Sequence, residues 1–194
     1  MAKIMNAFIE PLQAMTEYRE IRSRLHGQGM SGILEVTGCI DSQKLHLIHC
    51  LSGEDYSRLI VTFSEQRARE FCDEYRFFDR NVRYFPAKDI LFYQSDIRGN
   101  ELTKERIAVL NMLAGGQGCT VVTTFDALMN RMAPPEGFLS GMKKLAVGNT
   151  MDMNRMVKEL AAMGYERSYQ AQAPGQFAVR GGILDVYALT EENP

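Results

Sequence analysis

The sequence predicts an α/β protein: a parallel sheet flanked by helices, followed by part of a smaller α+β domain. Three observations predict it. Short β-branched runs such as LIVTF (59–63) and CTVVTT (119–124) have the composition of buried strands. Between such runs, apolar residues recur at spacings of three and four, the helical period. After Gly141 this alternation gives way to one helix and several short strands punctuated by glycines.

Ile4–Leu25 reads as helix, with Ile4, Phe8, Leu12, Met15, Tyr18, Ile21 and Leu25 on one face and Pro11 placed to split it. Gly27, Gly29 and Gly32 form a loop, and Gly32–Thr37 carries the first strand, centred on Ile33–Val36. Gln43–Leu51 is the next helix and ends before Gly53. Leu59–Phe63 is a strand, and Ser64 is suited to cap the helix that runs to about Tyr75. Val82–Phe85 is a strand ended by Pro86. Leu102–Leu113 is an amphipathic helix closed by Gly115 and Gly116. Cys119–Thr124 fits a central parallel strand, and Asp126 is placed to cap a short helix, Asp126–Met132, that Pro134–Pro135 stops. The intervals suit βαβ crossovers over residues 1–142.

Residues 143–194 follow another pattern. Lys144–Val147 is a short strand and Met151–Met163 a helix with Met153, Met156, Val157, Leu160 and Met163 on one face. Tyr165–Gln170 and Gln176–Val179 read as hairpin arms joined through Pro174–Gly175, and Ile183–Tyr187 resumes the sheet after Gly181–Gly182. So few elements make a thin core with an unsatisfied sheet edge, so the second domain is expected to be truncated at the C-terminus.

Composition narrows the function classes. Hydrophobic residues make up 45% of the 194, so a packed core is expected. Lys+Arg 22 against Asp+Glu 24 gives a net charge of -2, which supplies no global basic field for nucleic acid. Cys39, Cys50, Cys72 and Cys119 contain no C-x-x-C pair and read as reduced thiols. No run suits a signal peptide or a membrane span, so a cytoplasmic protein is expected.

Residues 36–45, VTGCIDSQKL, occupy the strand-to-helix position of a phosphate-binding loop, G-x-x-x-x-G-K-[ST]. Gly38 and Lys44 keep the spacing. Gln43 stands where the second glycine would let backbone N–H groups close round a phosphate, and Leu45 replaces the hydroxyl that ligates magnesium. The chain has the place of a nucleotide site without its chemistry, a degenerate helicase-like or RecA-like arrangement. The alternative at this point is an ordinary strand-to-helix turn.

No other constellation carries catalysis or metal. His46 and His49 are spaced i, i+3 but lack a third ligand, and ordinary helical histidines are the stronger reading. Asp89, Asp96, Glu101 and Glu105 read as a solvated surface. Phe92 and Tyr93, within FPAKDILFYQSDIRG (85–99), are suited either to stacking on bases or a partner, or to plugging the core beneath their loop. In QFAVRGGILDVY (176–187), Phe177 and Val179 alternate to one face and Arg180 to the other, beside two glycines that permit a sharp bend. Arg167 lies on the neighbouring arm. Two arginines on adjacent strands form a positive spot for an acidic partner; two unrelated surface arginines are the alternative.

FPAKDILFYQSDIRGNELTKERIAVLNML, TVVTTFDALMNRMAPP and GQFAVRGGILDVY, in that order from about Arg83 to Tyr187, resemble the N-terminal region of the transcription-repair coupling factors. Residues before Arg83 match in architecture, broken loop included. The related UvrB shares this module but keeps an intact phosphate loop and carries a long aromatic hairpin after the segment matching Phe85–Tyr93. Gln43, Leu45 and the direct passage from Phe92 to the helix at Leu102 favour the coupling factors.

The resemblance implies a non-catalytic module, UvrB domain 1a-like over 1–142 and UvrB domain 2-like over 143–194. It implies that the second part docks UvrA, recruiting it to stalled RNA polymerase in transcription-coupled nucleotide excision repair. No cofactor is implied for this stretch. ATP and magnesium belong to motor domains of the parent, an ATP-dependent translocase on double-stranded DNA. Arg180 matches an arginine of the family's V-R-G segment that contacts UvrA, and Arg167 falls where UvrB has another. Ala178 departs, since UvrB carries an arginine there. The rivals are a nucleotide-dependent helicase-like domain using Lys44, a UvrB-type damage-recognition protein, and a DNA-binding module using Phe92, Tyr93 and Arg98, against which the net charge counts.

Overall fold

The computed structural model describes residues 9–26, 33–51, 57–88, 96–116, 118–132, 134–143 and 145–191. The chain is α/β, with a parallel three-stranded sheet and a second, mixed three-stranded sheet. Residues 9–13 (α1) and Thr16–His26 (α2) are helical, and Asp41–Leu51 is α3. The first sheet comprises β1 (Arg58–Thr62), β2 (Val82–Phe85) and β3 (Thr120–Thr124) in the order β1-β3-β2. Its helices are α4 (Glu65–Tyr75), α5 (Asp96–Ala114) and α6 (Phe125–Met129).

The strand residues alternate between two apolar layers, as a pleated strand requires. Val82, Tyr84 and Val122 face Leu45 of α3 and Ala68, Phe71, Cys72 and Tyr75 of α4. Phe85 and Val121 pack with Cys119, Val109 of α5 and Ala127 of α6. β3 is buried at every position, as its β-branched composition predicts. Its hydroxyls are satisfied at both ends. Thr120 Oγ1 donates to Asp79 at 2.7 Å, Thr123 Oγ1 donates to the Phe85 carbonyl at 2.8 Å, and Thr124 Oγ1 accepts from Ala127 N at 3.3 Å. Arg58 completes the lower end, 3.2 Å from Asp79.

Several expectations are met. Ser64 Oγ accepts from Arg67 N at 3.2 Å and starts α4. β2 spans Val82–Phe85 and Gly115–Gly116 close α5. Others are corrected. Residues 33–36 form no strand and pair with none among the described residues, and Ile33 is 99% exposed. Thr124, not Asp126, caps α6. Pro134–Pro135 do more than stop a helix: Pro135 opens α7 (Pro135–Gly141), where its missing N–H costs nothing. Residues 145–147 form no strand, with Val147 fully exposed before a turn at Gly148. Asp89, Phe92 and Tyr93, with the side chain of Arg98, lie outside the described residues.

The second sheet holds β4 (Glu166–Arg167), β5 (Gln176–Arg180) and β6 (Ile183–Tyr187), in that order, beside α8 (Met153–Ala162). Asp152 Oδ1 caps α8, accepting from Asn154 N at 2.8 Å and Arg155 N at 3.2 Å. Met156 and Leu160 bury Phe177, with Val179, Leu184 and Val186 around them. The expected hairpin through Pro174–Gly175 is absent: β4 runs parallel to β5. The hairpin is instead β5–β6, turning at Gly181–Gly182. Gly181 has φ 59° and Gly182 lies outside the positive region, the pattern that two-residue II′ turns use.

Candidate functional site

Two places were singled out by sequence, the Gly38–Leu45 turn and the strands around Arg180. The turn is occupied by its own side chains. Gly38 takes φ 82°, a conformation that favours glycine, and α3 begins at Asp41. Gln43 folds back, its Oε1 accepting from Ile40 N at 3.1 Å, as the third residue of a capping box does. Lys44 Nζ lies 3.0 Å from Asp41 Oδ1, and the other Asp41 oxygen is 3.2 Å from Arg67. Hydrogen bonding from Lys44, then the charge of Arg67, holds the Asp41 carboxyl below its usual range. Leu45, where a loop of this kind places its magnesium hydroxyl, is 4% exposed within the core of α4 and the first sheet. A side chain fixed there packs; it cannot offer oxygen to a cation.

The neighbouring histidines are packing residues. His46 and His49 stack on Phe78, with centroids 5.8 Å and 5.2 Å apart. Among the described residues no cluster of three or more His, Cys, Asp or Glu is placed to hold a metal. No described helix is long and apolar enough to cross a membrane.

At the second place, alternation along β5 puts Phe177 and Val179 against α8 and Ala178 and Arg180 on the opposite face. Arg180 sits at the hairpin tip, where the Gly181–Gly182 turn leaves it half-exposed. Its Nη2 donates to Asp185 of β6 at 2.6 Å. Asp185 was missed in the sequence. The signal was present, because a two-residue turn after Arg180 brings position 185 onto the same face of the opposing strand. Arg167 is exposed, but its register partner is Phe177, three positions from Arg180, about 10 Å at strand rise. The two arginines therefore do not form one compact spot. Ala178, where the family resemblance leads one to expect an arginine, is fully buried opposite Asp185. A small residue is what that site holds.

Comparison with known proteins bears on this strand pair. Residues 144–194 match the family described as the UvrB interaction domain. A transcription-repair-coupling factor of Bacillus subtilis is 31% identical over 181 residues, 92% of this chain. The chain matches the UvrB-like N-terminal region of the transcription-repair-coupling factors. It spans 15% of the length of the Bacillus relative. Coupling factors of Staphylococcus aureus strains USA300 and MRSA252 are each 29% identical over 164 residues, covering 81% of the chain and 14% of their own length. The matched UvrB interaction domain contains α8, β4, β5 and β6, and therefore Arg167, Arg180 and Asp185.

Proposed function

We propose that this region of the coupling factor is a docking module that recruits UvrA through the sheet around Arg180, and that it is not itself an enzyme. One observation carries the reading: Arg180 stands half-exposed at the free tip of the β5–β6 hairpin, inside the segment that matches the UvrB interaction domain. A guanidinium there can trade its Asp185 partner for carboxylates of an incoming protein in charge-assisted, bidentate pairs. Arg167, exposed on β4, supplies a second and separate contact. In the longer protein this module serves transcription-coupled nucleotide excision repair in the cytoplasm, where RNA polymerase, double-stranded DNA and an ATP- and magnesium-dependent translocase motor belong to other parts of the chain.

The Gly38–Leu45 turn supports the non-catalytic reading. Gln43 is spent on Ile40 N, Lys44 on Asp41, and Leu45 on the core, so the residues do not fit a nucleotide with its magnesium. A pull-down of purified UvrA by the 194-residue chain tests the docking proposal. Arg180→Ala should remove most binding and Arg167→Ala a lesser share. Retention of full binding by the double variant would overturn the assignment. The helicase-like rival requires nucleotide binding that depends on Lys44, and Lys44→Ala in calorimetry decides against it when it changes nothing.

A further inference from the structure

A cleft of about 560 Å³ opens at the β2 edge of the first sheet, where α4 overhangs from one face and α5 from the other. No residue of the Gly38–Leu45 turn or of the second sheet lines it. Its walls carry four cations: Arg69 of α4, Arg76 at the C-terminal cap of that helix, Arg83 of β2 and Lys104 of α5. Against them stand two carboxylates, Asp73 and Glu105, each with one oxygen paired to a wall arginine and with Glu105 Oε2 buried without a hydrogen-bond partner. Asp73 pairs with Arg76, and Glu105 lies 3.4 Å from Arg69, which also stacks 4.5 Å over the Tyr84 ring. Arg83 spends one nitrogen on the carbonyls of Arg80 and Val82. Neither Arg83 nor Lys104 has a carboxylate partner among the described residues. Two cations that have no carboxylate partner among the described residues and line one concave site attract an anion.

We propose that this cleft binds a small phosphate monoester of nucleotide or sugar-phosphate size, with its phosphoryl group between Arg83 and Lys104. A tetrahedral dianion presents three acceptor oxygens, which suits donors arriving from different elements better than a planar carboxylate does. The volume far exceeds one phosphoryl group, and Tyr84, Cys72 and Ala108 supply an apolar wall for the organic remainder. The site is independent of the docking surface, so a double failure of the arginine pull-down leaves it standing.

The test is titration of the isotopically labelled 194-residue chain with adenosine monophosphate, ribose 5-phosphate, inorganic phosphate and ribose, followed by amide shifts. Both esters should saturate shifts at Arg83, Tyr84 and Ala108, whereas ribose should not. Lys104→Gln and Arg83→Gln should each weaken ester binding about tenfold, the loss of one charge-assisted contact. Lys44→Ala should leave it unaltered. Absence of saturable shifts at millimolar ester, equal affinity in Lys104→Gln and Arg83→Gln, or binding by inorganic phosphate alone would each overturn the proposal.

Discussion

Arg180 and Asp185 are joined at 2.6 Å across the tip of the β5–β6 hairpin, one from each strand and both on the face away from α8. The pair holds the guanidinium in place but also competes with any carboxylate that approaches it. Exposed pairs of this kind are worth about 0–1 kcal/mol. Asp185→Asn should therefore leave the unfolding midpoint nearly unchanged. It should strengthen UvrA binding by up to about fivefold, because the arginine no longer has to leave a partner. Weaker binding of Asp185→Asn in a titration would show that the pair positions Arg180 rather than restrains it.

Leu45 and Lys44 are adjacent in sequence and opposite in energetic role. Leu45 is buried in the core and Lys44 pairs in solvent with Asp41. Leu45→Ala should cost about 2–5 kcal/mol in chemical denaturation, and Lys44→Ala under about 0.5 kcal/mol. The combined change Gln43→Gly, Leu45→Thr rewrites the loop to the nucleotide-binding pattern. It should destabilise the chain without conferring magnesium-dependent ATP binding, since Leu45 points into the α4 layer. Calorimetry with ATP and magnesium checks this, and tight binding by the rewritten loop would refute the packing argument.

Asp152 caps α8 with one carboxylate oxygen that accepts two backbone hydrogen bonds. Asp152→Ala should cost about 1 kcal/mol and Asp152→Asn much less, because asparagine offers the same acceptor. Helix α8 buries Phe177, so the alanine variant should also speed hydrogen exchange in β5. Unchanged exchange at Phe177 and Val179 would contradict the coupling.

Burial pushes the Cys72 thiol up to about 11 and the Tyr75 phenol up to about 12. Both groups hold their protons more tightly when folded. Their contribution to stability is therefore whole below the ordinary values of 9.0 and 10.0 and is lost as pH rises towards the folded values. The denaturation midpoint should fall between pH 9 and 12, the Cys72 share first. In native protein at about pH 8, iodoacetamide should spare Cys72 until denaturant is added. Prompt alkylation of Cys72 would show the core to be open.

Residues whose structure depends on their neighbours in sequence were legible. Ser64 followed by an amphipathic run gave α4 and its cap, and TVVTT could only be a strand buried on both faces. Strands that depend on a distant partner were not. Ile33–Val36 has the apolar character of a strand, but a strand also needs another backbone to take its N–H and C=O groups, and the three-stranded sheet supplies none. Arg167 reads identically in a parallel or an antiparallel arm; only the register with Phe177 decides its distance from Arg180. Pro134–Pro135 signalled an end, yet the same rigid φ that ends one helix begins another. For the proposed docking site, Arg180 was visible and its partner Asp185 was not, because the pairing follows from the Gly181–Gly182 turn.

The strand order β1-β3-β2 has a consequence for a chain made from one end. β1 and β2 leave the ribosome first, and neither hydrogen-bonds to the other; each is completed only by β3. Until Thr120–Thr124 emerges, two apolar strands and the underside of α4 wait without a template, exposed to aggregation and to chaperones. Synthesis of the last thirty-odd residues before Thr124 is thus the interval in which the nascent protein is most vulnerable, and the arrival of five residues closes the sheet at once.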